Sequence, residues 1–307
     1  VKNMMNIPFT KYNNLGLLIS SLVLLVSLVS ILFKGLNYGL DFTGGVSLEI
    51  KYNEKADLER IRGSISKIDD ANFLVLNFGS DEKVLIKFQS DEELNINADT
   101  VIEILKEDNY LGEVVKSETI FPQIGEELRD KGGIAILVAI FAILIYIIFR
   151  FQIKFGYGAI AALVHDVLII LGVFSLFNLT FDLSVLAAIL AIVGYSLNDS
   201  IVVSDRIREN FLDKNSKGSP EVLINTSLNQ VFARTIITSF TTLLVLTALL
   251  IAGGSALFNF SLALSLGVII GSYSSIFIVV GVLLKLNLNN NDMDKPKNEP
   301  EESYSLD

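Results

Sequence analysis

The residues best suited to chemistry sit where charge is least expected. The stretch "VGYSLNDSIVVSDRIREN", residues 193–210, continues an almost unbroken run of Leu, Ala, Ile and Val, yet it carries Asn198 and Asp199. An ionised Asp in a hydrocarbon layer costs on the order of 3 kcal/mol on insertion scales, so such residues face other helices or water and commonly have a task. The next apolar run supplies a cation, Arg234 in "QVFARTIITSFTT". With one run leaving the membrane near Asp205 and Arg206 and the next starting near Leu228, Asp199 and Arg234 each lie about six residues in, roughly 9 Å from one edge. At matching depth on consecutive antiparallel helices they are expected to form a charge pair that lowers the burial cost of each. Such a pair either fixes helix register as a static contact or, if a proton releases and re-forms it, acts as a switch.

A second carboxylate, Asp166 in "AALVHDVLII", lies about ten residues into its run, roughly 15 Å deep and close to the midplane. His165 precedes it on the same helix. These two serve either a local helix-to-helix hydrogen bond or proton movement. Thr235, Thr238, Ser239, Thr241 and Thr242 add hydroxyls beyond Arg234, enough for a polar route through a bundle, although packing and backbone hydrogen bonding is the commoner use of such residues. A different candidate is "GLDFTGG", residues 39–45, a glycine turn opening a strand, where Gly44 and Gly45 allow unusual backbone angles beside Asp41. Arg206 and Arg208 read as topology anchors.

The elements that must position these groups follow from composition. Of 307 residues, 51% are hydrophobic and only 19% charged, a membrane protein's balance. Runs at 15–33, 132–149, 156–177, 183–203, 235–252 and 256–284 have the roughly 18 to 20 residues a spanning helix needs. The first is too long for the core of a cleaved secretory signal, and "SILFKGLN" after it has no small-x-small site, so it is expected to remain as an anchor. Lys2, Lys11, Arg150, Lys154, Arg206, Arg208, Lys214, Lys217 and Lys285 fall in alternate connections between the runs and so on one side, whereas the loops "NLTFD" and "GGSA" carry no Lys or Arg. That bias places 1–14 and 285–307 in the cytoplasm and exports the polar stretch 34–131.

Within the polar stretch the hydrophobic period changes repeatedly. "VSLEIKY" alternates like a strand, "EKADLERIRGSISKI" has helical spacing at Leu58, Ile61 and Ile65, and "NFLVLNF" with "KVLIKFQ" reads as a hairpin around "GSDE". "NADTVIEILKED" is a second helix with Val101, Ile104 and Leu105 on one face, and "GEVVKSETIF" is a last strand. The order β-α-β-β-α-β is ferredoxin-like. The expected class is therefore a multi-span α-helical membrane protein, six transmembrane helices with one exported α+β ferredoxin-like domain. The polar, aperiodic tail from 285 to 307 is expected to be disordered.

Several function classes fall away on composition. A net charge of −10 argues against nucleic-acid binding, the lack of cysteine removes structural disulfides and thiolate metal sites, and a single His removes most zinc chemistry. No G-x-x-x-x-G-K-[ST] loop occurs, so nucleotide hydrolysis is not expected, nor is a cofactor or an enzymatic reaction. The energy source left is an ion gradient, which suits buried carboxylates.

Taken in order, "LNYGLDFTGG", "PQIGEELRDKG", "LVHD", "GYSLNDSIVVSDRIREN" and "RTIITSFTTLL" resemble the SecF family of protein-export membrane proteins, within the SecD/SecF group of the RND-like superfamily. The resemblance runs from about residue 7 to 285, with one departure at Ser204, where the family usually has Phe. It implies a six-span half that works with a SecD-like subunit, twelve spans together, beside the Sec translocon (SecYEG) and its accessory subunits in the bacterial inner membrane. It also implies that the proton gradient helps draw an unfolded exported polypeptide across, with the large domain periplasmic. Asp199 and Arg234 are the positions that the resemblance implicates in proton movement, with Asn198, Asp166 and His165 as their polar company. The alternatives from residues alone are half of a proton-driven small-molecule efflux transporter, and a structural membrane scaffold.

Overall fold

The computed structural model describes residues 7–68, 73–88, 97–150, 152–213 and 218–293. In chain order the elements are α1 (Phe9–Lys34), β1 (Asn37–Tyr38), α2 (Leu40–Thr43), β2 (Gly45–Lys51), α3 (Leu58–Ile65), β3 (Leu74–Phe78), β4 (Ser80–Phe88), α4 (Ala98–Glu107), β5 (Glu113–Ile120), α5 (Pro122–Arg150), α6 (Ile153–Leu176), β6 (Thr180–Phe181), α7 (Leu183–Leu212), α8 (Pro220–Ala252) and α9 (Gly254–Lys285). Six of the helices, α1 and α5 to α9, are long and apolar enough to cross a membrane. Two begin well before their apolar runs: α5 at Pro122 and α8 at Pro220, rather than near 132 and 235. Proline suits a first helical turn, whose N–H would be unbonded anyway, and the amphipathic residues after it continue the helix beyond the apolar layer.

The spans divide into an inner and an outer set. Half or more of the apolar stretch is buried in α6, α7 and α9, and much less in α1, α5 and α8. Helix α9 is central, packing against α1, α6, α7 and α8. Glycine lets it approach α7 closely: a Cβ on Gly267 would collide with the Ile192 side chain, and one on Gly271 would lie 3.1 Å from Ser196 Cβ. Small residues at such crossings replace the hydrophobic drive that lipid cannot supply.

The α+β domain is built as its periodicity predicts. Strands β2 to β5 form one antiparallel sheet in the order β3-β4-β2-β5, with α3 and α4 on one face. Alternate residues Val46, Leu48 and Ile50 of β2 and Val84, Ile86 and Phe88 of β4 bury against Ile61, Ile65, Val101 and Leu105 of the helices. Asp57 and Asn97 cap α3 and α4 by accepting from the N–H groups of Arg60 and Thr100. Between the domain and the bundle, β1 pairs in parallel with β6, the short strand before α7.

The tail is ordered further than its composition suggests. A short 3-10 helix spans Asn290–Met293, Leu288 and Met293 are buried with the bundle core, and Lys154 Nζ donates to Asp292 Oδ2 at 2.7 Å. Two apolar side chains in a polar segment supply that anchor. Residues 294–307, like Lys2, Lys214 and Lys217, lie outside the described residues.

Candidate functional site

Asp199 lies sixteen residues after the first residue of α7 and thirteen before its last, so it is about 24 Å from one end and 20 Å from the other. The buried stripe Ile192, Ser196, Asp199, Val203 and Ile207 follows helical spacing and turns the carboxylate into the bundle, where Asp199 is 3% exposed. Ser272 of α9 and Arg234 of α8 are the polar groups whose fields reach it. Its Oδ2 nevertheless has no hydrogen-bond partner among the described residues, and the adjacent Ser200 Oγ has none either.

The expected Asp199–Arg234 ion pair is not closed in this structure. Among the described residues no salt bridge joins them within the 4.0 Å limit for such contacts. Arg234 lies fourteen residues into α8, next to buried Thr235 but on the exposed side of the helix. Asn198 is likewise on the exposed side of α7, so the Asn-Asp pair divides between surface and interior. Helical geometry explains this, since consecutive residues are about 100° apart round the axis.

Asp166 is the opposite case. It is 1% exposed and fully engaged: His165 Nδ1 lies 2.9 Å from Oδ1, while Ser196 Oγ of α7 and Ser274 Oγ of α9 donate to Oδ2 at 2.6 and 2.8 Å. The other ring nitrogen, Nε2, finds no partner among the described residues. The Tyr273 ring stacks beside the imidazole, with centroids 6.5 Å apart, and its hydroxyl donates to the Gly16 carbonyl of α1 at 2.7 Å. Ser196 lies one turn from Asp199, so the two carboxylates differ in level by about 5 Å. Three inner helices thus meet at Asp166, and Asp199 sits one turn away with an acceptor open.

The hydroxyls of α8 form no continuous route. Thr238, Thr241 and Thr242 donate to carbonyls of their own helix, Thr242 Oγ1 also accepts from the Tyr195 hydroxyl of α7 at 3.4 Å, and Ser239 Oγ lies 2.6 Å from Ser272 Oγ of α9. Ser196, Ser272 and Ser274 escaped the sequence reading. The signal for two of them is the "GSYSS" cluster at 271–275, and for Ser196 its place three residues before Asp199. No group of three or more His, Asp or Glu side chains comes together among the described residues, so the site offers single carboxylates.

The junction motif lies apart, where the α+β domain meets the spans. Gly44 and Gly45 have φ of 75° and 144°, backbone conformations that favour glycine. Phe42 stacks on Phe181 with centroids 5.7 Å apart, and Asp41 Oδ2 accepts the backbone N–H of Leu183 at 3.0 Å.

Residues 100–289 match the family described as Protein export membrane protein SecD/SecF, C-terminal, and residues 29–56 match the SecD/SecF GG Motif. The chain belongs to the SecD/SecF family. Protein translocase subunit SecF of Pseudomonas aeruginosa is 45% identical over 292 residues, covering 95% of each chain. The protein of the same description from Vibrio alginolyticus is 39% identical over 300 residues, covering 96% of this chain and 94% of the other. Among solved structures, SecDF from Thermus thermophilus, described as a translocon-associated membrane protein, superposes with a TM-score of 0.77 at 36% identity. That comparison covers 91% of this chain and 38% of the SecDF chain, so the present chain spans well under half of that longer relative. In the SecD/SecF setting the GG match falls on Gly44 and Gly45, and the C-terminal match takes in Asp166, Asp199 and Arg234.

Proposed function

We propose that this chain is the SecF-type half of an ion-driven export machine, working with a SecD-like subunit beside the Sec translocon (SecYEG) in the bacterial inner membrane. Both termini face the cytoplasm and the α+β domain lies in the periplasm, where it acts on the unfolded exported polypeptide. Asp199 is the ion-responsive group. The observation that carries this reading is its carboxylate, 3% exposed, with Oδ2 unpartnered and Arg234 in electrostatic reach but not bonded to it. A buried ion pair that served only to glue helices would be closed, because a buried charge without its partner is strongly destabilising. An open acceptor leaves room for a proton, which turns Oδ2 from acceptor into donor and alters what Ser272 and Arg234 face. Asp166, with its acceptors filled, holds α6, α7 and α9 together around that event.

Gradient-driven translocation into inverted membrane vesicles tests the assignment. Asp199→Asn keeps size and hydrogen bonding while removing the titratable group, so it should abolish the gradient-dependent part of export without preventing assembly. The double variant Asp199→Asn with Arg234→Met leaves no unpaired buried charge. It should assemble and still ignore the gradient, and a gradient-responsive double variant would refute the switch in favour of a structural pair.

A further inference from the structure

The loop between α6 and α7 is gripped by the chain segment that roots the α+β domain. Asn37 and Tyr38 pair in parallel with Thr180 and Phe181, the Gly39 N–H donates to the Phe181 carbonyl at 2.8 Å, and Asn37 Nδ2 donates to the Asn178 carbonyl at 3.1 Å. Rings of Tyr38, Phe42 and Phe181 close over this contact. At its end stands Asp41, whose Oδ2 takes the Leu183 N–H, while Asp182 Oδ1 takes the Val185 N–H at 3.0 Å. The first turn of α7 is therefore capped twice. One cap is local and the other comes from a segment 142 residues earlier in the chain. A local cap is sufficient to start a helix. The second ties this helix to the domain root, and α7 is the helix that carries both Ser196 and Asp199.

We propose that Asp41 is a positioning residue that couples the α+β domain to the ion-responsive helix: through its bond to Leu183, the domain root and α7 move as one body. Helix α7 transmits the displacement because a continuous helix of thirty residues keeps its backbone bonds along its length. Beside this clamp, Gly44 and Gly45 let the chain turn sharply into β2. Since Gly45 already pairs with Ile120 in the sheet, a displacement of the root is passed directly into β2. This inference rests on the assignment of Asp199 above.

The test uses inverted vesicles carrying the full chain. Asp41→Ala removes the acceptor and should cut the gradient-dependent part of export at least fivefold. Asp41→Asn keeps an oxygen for the Leu183 N–H and should stay within twofold of the unmodified chain. Since the chain has no cysteine, Asn37→Cys with Thr180→Cys can be added to Asp41→Ala without background reaction. Directly paired strand positions lie about 4.8 Å apart, within the Cα separation a disulfide accepts. Oxidation should then restore at least half of the lost export, and a reductant should remove it again, a reversal that a general packing defect would not show. Should Asp41→Ala fail to accumulate, the oxidised triple variant decides alone: restored export supports the coupling role, and an inserted but inactive protein overturns it. Full activity of Asp41→Ala also overturns it. Asp199→Asn in the same vesicles separates the two ideas, because a normal gradient response there sinks the switch assignment whatever Asp41 does.

Discussion

Replacing Asp166 by Asn should cost this protein little, and replacing it by Leu should cost it a great deal. The carboxylate receives His165 Nδ1, Ser196 Oγ and Ser274 Oγ from three helices. Leu removes every acceptor at once. Two of these bonds cross between helices, and at an average of about 0.6 kcal/mol each they give roughly 1 kcal/mol. Leaving buried donors unsatisfied raises the figure towards about 4 kcal/mol. Ser274 limits the loss, because the Gly271 carbonyl is an alternative acceptor at 3.1 Å. Asn can set its carbonyl oxygen where Oδ2 stood and keep both hydroxyls, while its amide faces His165 Nδ1, which accepts in the tautomer with its proton on Nε2. The expected cost is below about 1 kcal/mol. Reversible unfolding in mixed detergent micelles, titrated with dodecyl sulfate, measures both values. In vesicles Asp166→Asn should keep gradient-driven export within a few-fold, in contrast to Asp199→Asn. An Asn variant as unstable as the Leu variant, or one as inactive as Asp199→Asn, would show that the charge of Asp166 is itself used and that the wrong central carboxylate has been chosen.

Two further outcomes follow from the domain and its root. Val at both Gly44 and Gly45 forces β-branched residues to φ of 75° and 144°, so the double variant should lose gradient-driven export while still inserting; unchanged export would remove the turn from the mechanism. Burial and the neighbouring Tyr110 push the Tyr52 phenol up to about 12. A phenol raised in the folded state stabilises fully below its unfolded value near 10, and that contribution fades as pH rises through about 12. The difference in tyrosinate absorbance between the unmodified chain and Tyr52→Phe should have its midpoint near 12, and a midpoint near 10 would show that the ring is not buried as described.

Position along the helix was legible in the sequence and azimuth was not. Counting residues along an apolar run locates Asp199 and Asp166 along their helix axes, because the rise per residue is fixed, and the structure keeps them within a turn of each other. Which way a side chain points depends on how each helix is rotated against its neighbours. That is why Arg234 turns out exposed and, among the described residues, not bridged to Asp199 although its register suggested a pair. The ferredoxin-like order of β2 to β5 was readable because Val46, Leu48 and Ile50 alternate while Ile61 and Ile65 follow helical spacing. Strands β1 and β6 have two residues each, too few for any period, so the clamp on α7 left no trace beyond a turn motif. Serine in an apolar helix is equally uninformative, since Ser196 and Ser274 gain meaning only from the carboxylate that another helix brings.

The central place of α9 also has a temporal side. During synthesis the helices bearing Asp166 and Asp199 leave the ribosome before the one that carries Ser272 and Ser274. Until that helix arrives, Asp166 lacks one of its two hydroxyl donors and Asp199 lacks its serine neighbour, while an Asp within a span disfavours insertion by up to about 3 kcal/mol. The close crossing at Gly267 and Gly271 then does more than pack the finished bundle. It is the latch by which the sixth span, inserting after the other five, completes the two carboxylate sites. A chain interrupted after α8 would keep His165 and Ser196 on Asp166 but leave Asp199 without Ser272, so the last span matters more to the second acid than to the first.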